Sequence, residues 1–279
     1  LGNKFLSHIR EVDAILQVVR CFENPDITHV EGTVDPIRDI DTIDTELMLA
    51  DLDSLERRLN GLVKRARGGD KDAKDTLVVA ERAAAVLREG RPARVVPLAA
   101  EEERAFDGLQ LLTAKPVLYV CNVEEGDAAA GNAATARVEA RAASEGAAAV
   151  VISARIEAEV AELSEDDRSE YLASLGLTET GLTQVIGAGY GLLDLITFFT
   201  AGPKESRAWT IRRGTKAPAA GGVIHSDFEK GFIRAETIAY DDFVALGGEQ
   251  AAREAGRMRS EGRDYAVADG DILLFRFNV

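Results

Sequence analysis

Asn122, Glu124 and Glu125 close the stretch KPVLYVCNVEEG, which runs apolar for several residues and then turns polar and acidic. Ser153 and Ala154 stand in the same relation to a second apolar run, AAAVVISA, farther along the chain. In open parallel sheets, ligands bind beyond the carboxyl ends of the strands. At such a place a carboxylate accepts hydrogen bonds from ring or exocyclic N–H groups of a purine. An asparagine braces the loop and meets an acceptor on the base, and backbone N–H groups around Ser153 and Ala154 bond the other edge. The competing reading is a polar loop that only ends a strand, and the spacing alone does not separate the two.

A strand–helix–strand unit has to hold these residues in place. The pattern predicts a strand through Lys115–Asn122, a helix from about Ala133 to Ser144, and a strand through Ala147–Ala154. Such a unit implies parallel strands. Upstream, ILQVVRCF (Ile15–Phe22) fits a buried strand. LGNKFLSHIREVDAIL reads as a helix, with Phe5, Ile9, Val12 and Leu16 on its apolar face. Downstream, Glu157–Leu175 reads as helical, and GLTQVIGAGYGLLDL closes this first domain. Cys21 and Cys121 lie in apolar runs and read as buried thiols of a reducing compartment. Cys121 is expected to point away from the site, into the sheet.

Between these parts the composition becomes helical. Leu52, Leu55, Leu59, Leu62 and Ala66 alternate steps of three and four, which is the seam of a coiled coil. RGGDKD interrupts it, and Ala73, Leu77, Ala80, Ala84 and Leu87 repeat the seam, so the segment reads as an antiparallel helical hairpin. Its arm, from Thr42 to Arg67, is expected to reach roughly 36 Å. Residues 57–74 hold seven cations (Arg57, Arg58, Lys64, Arg65, Arg67, Lys71, Lys74) against Asp70 and Asp72. A cationic tip on a chain of net charge −15 suits contact with RNA phosphates, and the bland alternative is a solvated helix surface. From Leu195 the period becomes that of strands: LITFFTAG, RAWTIRRGT, GFIRAETI, DYAVADGD and ILLFRFNV, with helices near Asp241–Leu246 and Glu249–Arg259. Trp209, Phe228 and Phe232 lie among basic residues there and read as core, while His225 and Asp227 form a candidate hydrogen-bonded pair. The longest apolar runs, at roughly eight residues, fall far short of a membrane span.

The chain resembles the YchF family, the Obg-related P-loop nucleotidases, and the resemblance covers nearly its whole length. Where most of that superfamily carries Asn-Lys-x-Asp to specify guanine, the family carries Asn-x-x-Glu, as Asn122-Val123-Glu124-Glu125 does here. SAR, Ser153–Arg155, falls where the superfamily's base-binding loop lies. GGDKDAKD matches the hairpin tip, and AWTI, HSDFEKGFIRAETI and DGDILLFRFNV match the C-terminal domain. The resemblance implies a parallel α/β G-domain sheet (residues 1–38 and 98–194), an inserted helical coiled-coil hairpin (39–97) and a C-terminal TGS domain of β-grasp fold (195–279). It implies ATP hydrolysis, with GTP as the other nucleotide, assisted by Mg²⁺. It also implies cytoplasmic association with the ribosome. Asn122, Val123, Glu125, Ser153 and Ala154 would bind the base. His29, in DITHVEG, corresponds to the family's catalytic histidine, where a neutral imidazole positions a water in line with the γ-phosphate. Lys64, Arg65, Arg67, Lys71 and Lys74 would meet rRNA.

One family element does not occur in these 279 residues. G-x-x-x-x-G-K-[ST] is absent, Asp-x-x-Gly of the γ-phosphate side is absent, and Lys230 and Gly231 run in the reverse of the Gly-Lys order. The motif's backbone cradle, its lysine and its Mg²⁺-binding hydroxyl are therefore expected to lie upstream of Leu1. The chain by itself is expected to bind nucleotide weakly and not to hydrolyse it. The rival to the enzyme reading is an interaction module, independent of nucleotide, in which the hairpin and the C-terminal domain bind RNA or protein and the sheet only scaffolds them.

Overall fold

The computed structural model describes residues 2–30, 32–202 and 205–278, which form two units, Leu1–Leu192 and Leu193–Val279. Leu1, Glu31 and Val279, parts of segments quoted above, lie outside the described residues.

The first unit opens with α1 (Asn3–Glu11) and β1 (Ile15–Arg20). The helix predicted through Leu16 ends at Glu11, because Ile15–Arg20 gains ladder partners that a helix would forgo. The proposed apolar face is thus divided between two elements, and Phe5, Val12 and Leu16 stay exposed. Next come α2 (Pro36–Arg67), α3 (Lys71–Arg88), α4 (Glu103–Asp107), β2 (Val117–Asn122), α5 (Ala133–Glu145) and β3 (Ala148–Ile152). The unit closes with α6 (Ala154–Glu162), α7 (Glu165–Ser174) and α8 (Gly181–Leu192). The segment read as one helix through Leu175 is two, because Ser164 caps a new start by accepting from Asp167 N.

The three strands are parallel in the order β1-β2-β3, with Val19 opposite Cys121 and Asn122 opposite Ile152. Val117, Tyr119, Cys121 and Val123 face one side, where they pack with Val19, Ile40 of α2, and Val138 and Ala142 of α5. Alternation sends Leu118 and Val120 to the opposite face, and α8 packs against β2 and β3. Gly181 begins α8 because a Cβ there would lie 2.7 Å from Ile152 Cγ2. Glu157 caps that helix, accepting from Gly181 N at 2.6 Å and Leu182 N at 3.1 Å. Leu16 and Val18 of β1 are 49% and 69% exposed.

The hairpin is longer on one side than its seam suggests. Pro36 sits in the first turn, where its missing N–H does no harm, and Asp35 caps the end, so α2 runs 32 residues, about 48 Å. Its first turns belong to the sheet through Ile40, and the remainder pairs with the 18-residue α3. Leu55, Leu62, Ala73, Ala80, Ala83, Ala84 and Leu87 are buried between the arms, and Leu52, Leu59 and Leu77 border them. At the root, Asp51 is wholly buried and accepts from Leu112 N, Thr113 N and Thr113 Oγ1, while Arg10 lies 3.6 Å away. Burial pushes its carboxyl above the usual range against the pull of those donors.

The second unit contains β4 (Leu195–Ala201), β5 (Ser206–Arg212), α9 (Ala217–Ile224), α10 (Ser226–Lys230), β6 (Phe232–Ile238), α11 (Tyr240–Leu246), α12 (Glu249–Glu254), β7 (Arg259–Glu261) and β8 (Ile272–Phe277). Its sheet runs β5-β4-β8-β6-β7, and β4 and β8 are the parallel pair. The middle position of these two strands and the helix that follows the first hairpin make it a β-grasp. Phe198, Ile211, Ala220, Phe232 and Leu273 fill the core, with Trp209 and Phe275 against them. DYAVADGD is not a strand: it carries the isolated Lys216–Ala266 bridge and bonds β4 through Gly270 N–H to Thr197 O, and Arg259–Glu261 takes the edge instead. Tyr265 within it donates to Asp271, whose second job is to accept from Ala268 N, and that fixes a turn.

Candidate functional site

The carboxyl ends of β1, β2 and β3 lie side by side because the strands are parallel. Asn122 ends β2, and its Oδ1 accepts from Ala154 N at 2.9 Å, which ties the β2 loop to the first turn of α6. The Ala154 N–H expected to meet a base is therefore taken by Asn122. Val123 also differs from expectation: its side chain is 3% exposed in the core, and its N–H donates to Ile152 O. The alternation that aims Asn122 one way aims Val123 the other.

Glu125 follows in a short 3₁₀ turn, Glu125–Asp127, with its side chain 35% exposed. Arg155 Nε lies 2.5 Å from Glu125 Oε1, and Arg155 also reaches Glu159 at 3.6 Å. Oε1 is buried, yet no N–H is aligned with it as a hydrogen bond. Ser153, 2% exposed, heads α6 as the N-cap residue without capping it, and its Oγ has no partner. Buried polar atoms are nearly always paired, so two open ones at adjacent strand ends are unusual. Tyr171 donates to Glu159 behind Arg155, and that hydrogen bond holds its phenol above the ordinary value.

A residue that sequence reasoning passed over organises the loop. Asn132 Nδ2 donates to Cys21 O at the end of β1 and to Asp127 Oδ2, while its Oδ1 caps α5 by accepting from Ala134 N and Thr135 N. The legible signal was the capping-box spacing of Asn132 and Thr135. A cavity of about 520 Å³ opens beside it, lined by Phe22, Pro36, Glu124, Asp127 and Arg137 among others.

His29 lies on the loop after β1. Its Nε2 is 2.9 Å from Asp39 Oδ2 at the start of α2, and the ring lines a cavity of about 450 Å³ with Arg20, Asn24 and Thr33. A carboxylate only accepts, so Asp39 holds the proton of the neutral ring on Nε2. Arg20 ties the loop down, donating to Phe22 O, Asn24 O and Ile27 O, with its guanidinium 4.7 Å from the Phe22 ring. Neither cavity is lined by Asn122, Glu125 or Ser153.

Cys121 points away from this site as expected. It is buried beside Cys21, and that thiol, followed by burial, pushes the Cys121 thiol up. Among the described residues no group of three or more His, Cys, Asp or Glu side chains is placed to hold a metal ion. Those residues do not fit a Mg²⁺ site.

At the hairpin tip Lys64, Arg65, Arg67, Lys71 and Lys74 are exposed. Arg65 is committed to Asp70, at 2.7 and 3.0 Å, and Asp70 also caps α3. Arg58 belongs to the root and not to the tip, donating to Gly108 O and Leu109 O, and Arg57 pairs with Asp53. In the second unit, His225 Nδ1 accepts from Asp227 N and lies 3.3 Å from its carboxylate. No helix among the described residues is long and apolar enough to cross a membrane.

Residues 195–278 match the family model YchF-GTPase_C, "Protein of unknown function (DUF933)". Over 279 residues the chain is 56% identical to the ribosome-binding ATPase YchF of Haemophilus influenzae, covering 100% of this chain and 77% of that protein. The protein of the same name from Bacillus subtilis is 50% identical over 281 residues, again covering 100% and 77%. Obg-like ATPase 1 of Rattus norvegicus is 44% identical over 284 residues, covering 100% and 72%. Among solved structures, the YchF GTPase of Schizosaccharomyces pombe matches with a TM-score of 0.86 at 38% identity, covering 99% of this chain and 75% of that one.

Proposed function

This chain belongs to the YchF family, and on that premise we propose that it is a cytoplasmic, ribosome-associated nucleotidase that binds and hydrolyses ATP. The chain divides, in this reading, into a G domain (1–38 and 98–194), an inserted hairpin (39–97) and a TGS domain (195–279). One observation carries the nucleotide assignment. The β2 and β3 ends are joined through Asn122 Oδ1 and Ala154 N, and Glu125 Oε1 and Ser153 Oγ stand beside that joint without aligned partners. With its Oδ1 engaged, Asn122 keeps its amide N–H groups for an acceptor on the purine. Glu125 accepts from the base's amino edge through Oε2, the oxygen that Arg155 leaves uncovered.

His29 serves hydrolysis by orienting water. Asp39, 2.9 Å from Nε2, orients the ring at the start of α2. The phosphate-binding motif of the superfamily is absent from these 279 residues. For the ribosome, the exposed Lys64, Arg67, Lys71 and Lys74 supply a compact cationic end for rRNA phosphates, with Arg65 held by Asp70 as their brace.

Equilibrium titration of the full-length protein with ATP tests the site. Asn122→Ala is expected to weaken ATP binding about tenfold, the equivalent of one hydrogen bond to the base lost together with the loop brace. Unchanged affinity would remove the base-site reading. If the unsubstituted protein pellets with ribosomes and binds no nucleotide, the interaction-module reading takes its place.

A further inference from the structure

We propose that Arg155 makes the strand-end site read adenine, by converting the Glu125 carboxylate from a two-acceptor edge into an acceptor–donor pair. The proposal rests on the reading of the β2 and β3 ends as the base site and names the group that chooses between purines there.

Arg155 sits in the first turn of α6, directly after Ser153 and Ala154, and its guanidinium covers one oxygen of Glu125. The contact is a charge contact at 2.5 Å without an aligned hydrogen bond, so the two groups are not locked as a closed fork. Arg155 is 70% exposed, and an ion pair so exposed contributes little to folding. Its placement therefore asks for another explanation, as does the unpartnered Ser153 Oγ beside it.

The chemistry of the two purines supplies that explanation. Guanine presents N1–H and the 2-amino group side by side, a donor–donor edge that needs both oxygens of a carboxylate. Adenine presents the 6-amino donor beside the N1 acceptor. With Arg155 over Oε1, Glu125 keeps Oε2 as an acceptor, and the guanidinium brings N–H donors next to it. An acceptor beside a donor matches adenine at both positions. Against guanine, the same pair sets an arginine N–H opposite N1–H and leaves that donor unsatisfied, which is how a polar site rejects the wrong ligand. In this arrangement Arg155 both meets the base and sets, over Glu125, which purine edge is accepted; it is a specificity-determining residue.

The test is equilibrium titration of the full-length protein with ATP, GTP and ITP, using the unsubstituted protein, Arg155→Ala and Arg155→Gln. Both substitutions are expected to lower the ATP-to-GTP affinity ratio about tenfold. ITP is expected to gain affinity with GTP, since hypoxanthine keeps N1–H and lacks the 2-amino group. The unfolding temperature is expected to stay where it was, because the side chain is exposed. A ratio unchanged within about twofold, or equal weakening of ATP and GTP, overturns the assignment. Asn122→Ala, measured alongside, separates the two failures. If it weakens ATP binding while the Arg155 variants keep the ratio, only the role of Arg155 falls. If it leaves ATP binding intact, the base site falls and Arg155 with it.

Discussion

At the hairpin root Asp51 is wholly buried and meets three donors at 2.8 Å, whereas at the strand ends Glu125 meets one off-line arginine and Ser153 Oγ meets nothing. Both regions use short polar side chains to join elements distant in sequence, Asp51 to Leu112 and Thr113, Asn122 to Ala154. The root completes its hydrogen bonds with protein groups and so gains rigidity. The strand ends complete one and leave others open, which is the condition for holding a ligand. A polar residue's burial is thus a poor guide to its role; whether its bonds are already made is a better one.

The largest effect expected from breaking this contrast is at the root. Asp51→Ala leaves Leu112 N, Thr113 N and Thr113 Oγ1 without their acceptor and Arg10 without its neighbour, and is expected to cost about 3–5 kcal/mol in chemical denaturation. A loss below about 1 kcal/mol would erase the distinction between the regions. Asn122→Ala, which removes a single exposed hydrogen bond, is expected to cost only about 1 kcal/mol of stability, with its main readout in ATP affinity.

Acid sharpens the comparison. Arg82 holds Glu102 in a two-pronged pair at 2.8 and 3.0 Å, and this, with Ala99 N, lowers its carboxyl to about 2 from an ordinary value of 4.5. A depressed value means the folded state binds fewer protons, so this pair's contribution is complete above about pH 4.5 and is lost as pH falls toward about 2. Denaturation midpoints across that window are expected to fall more steeply for the native protein than for Glu102→Gln. The smallest effect belongs to Ser153→Ala. A hydroxyl with no partner gives up nothing when removed, so stability is expected to stay within about 0.5 kcal/mol or to rise. A loss of 2 kcal/mol or more would mean that Ser153 Oγ is paired after all.

Periodicity made the larger elements legible. The seam of leucines and alanines announced the hairpin, and apolar runs stopping at Asn122 and Ser153 announced the strand ends. What stayed hidden depends on contacts across the fold. Glu125 and Arg155 are thirty positions apart in a sequence crowded with charges, and only the parallel register brings their loops together. His29 and Asp39 meet because α2 begins at Pro36, six residues earlier than the helical pattern at Thr42 suggests. Leu16 continues a helical spacing from Phe5, yet ladder bonding to β2 claims it for a strand. DYAVADGD has the composition of a strand, but the Tyr265–Asp271–Ala268 contacts fold it into a turn. At Leu16 a long-range ladder overrode a local preference, and in DYAVADGD side-chain bonds within the segment did so.

The 32-residue helix α2 begins beside the histidine loop, where Asp39 meets His29, and ends at the cationic tip. A rod of about 48 Å has leverage: tilting its base by about 5° sweeps the far end through about 4 Å.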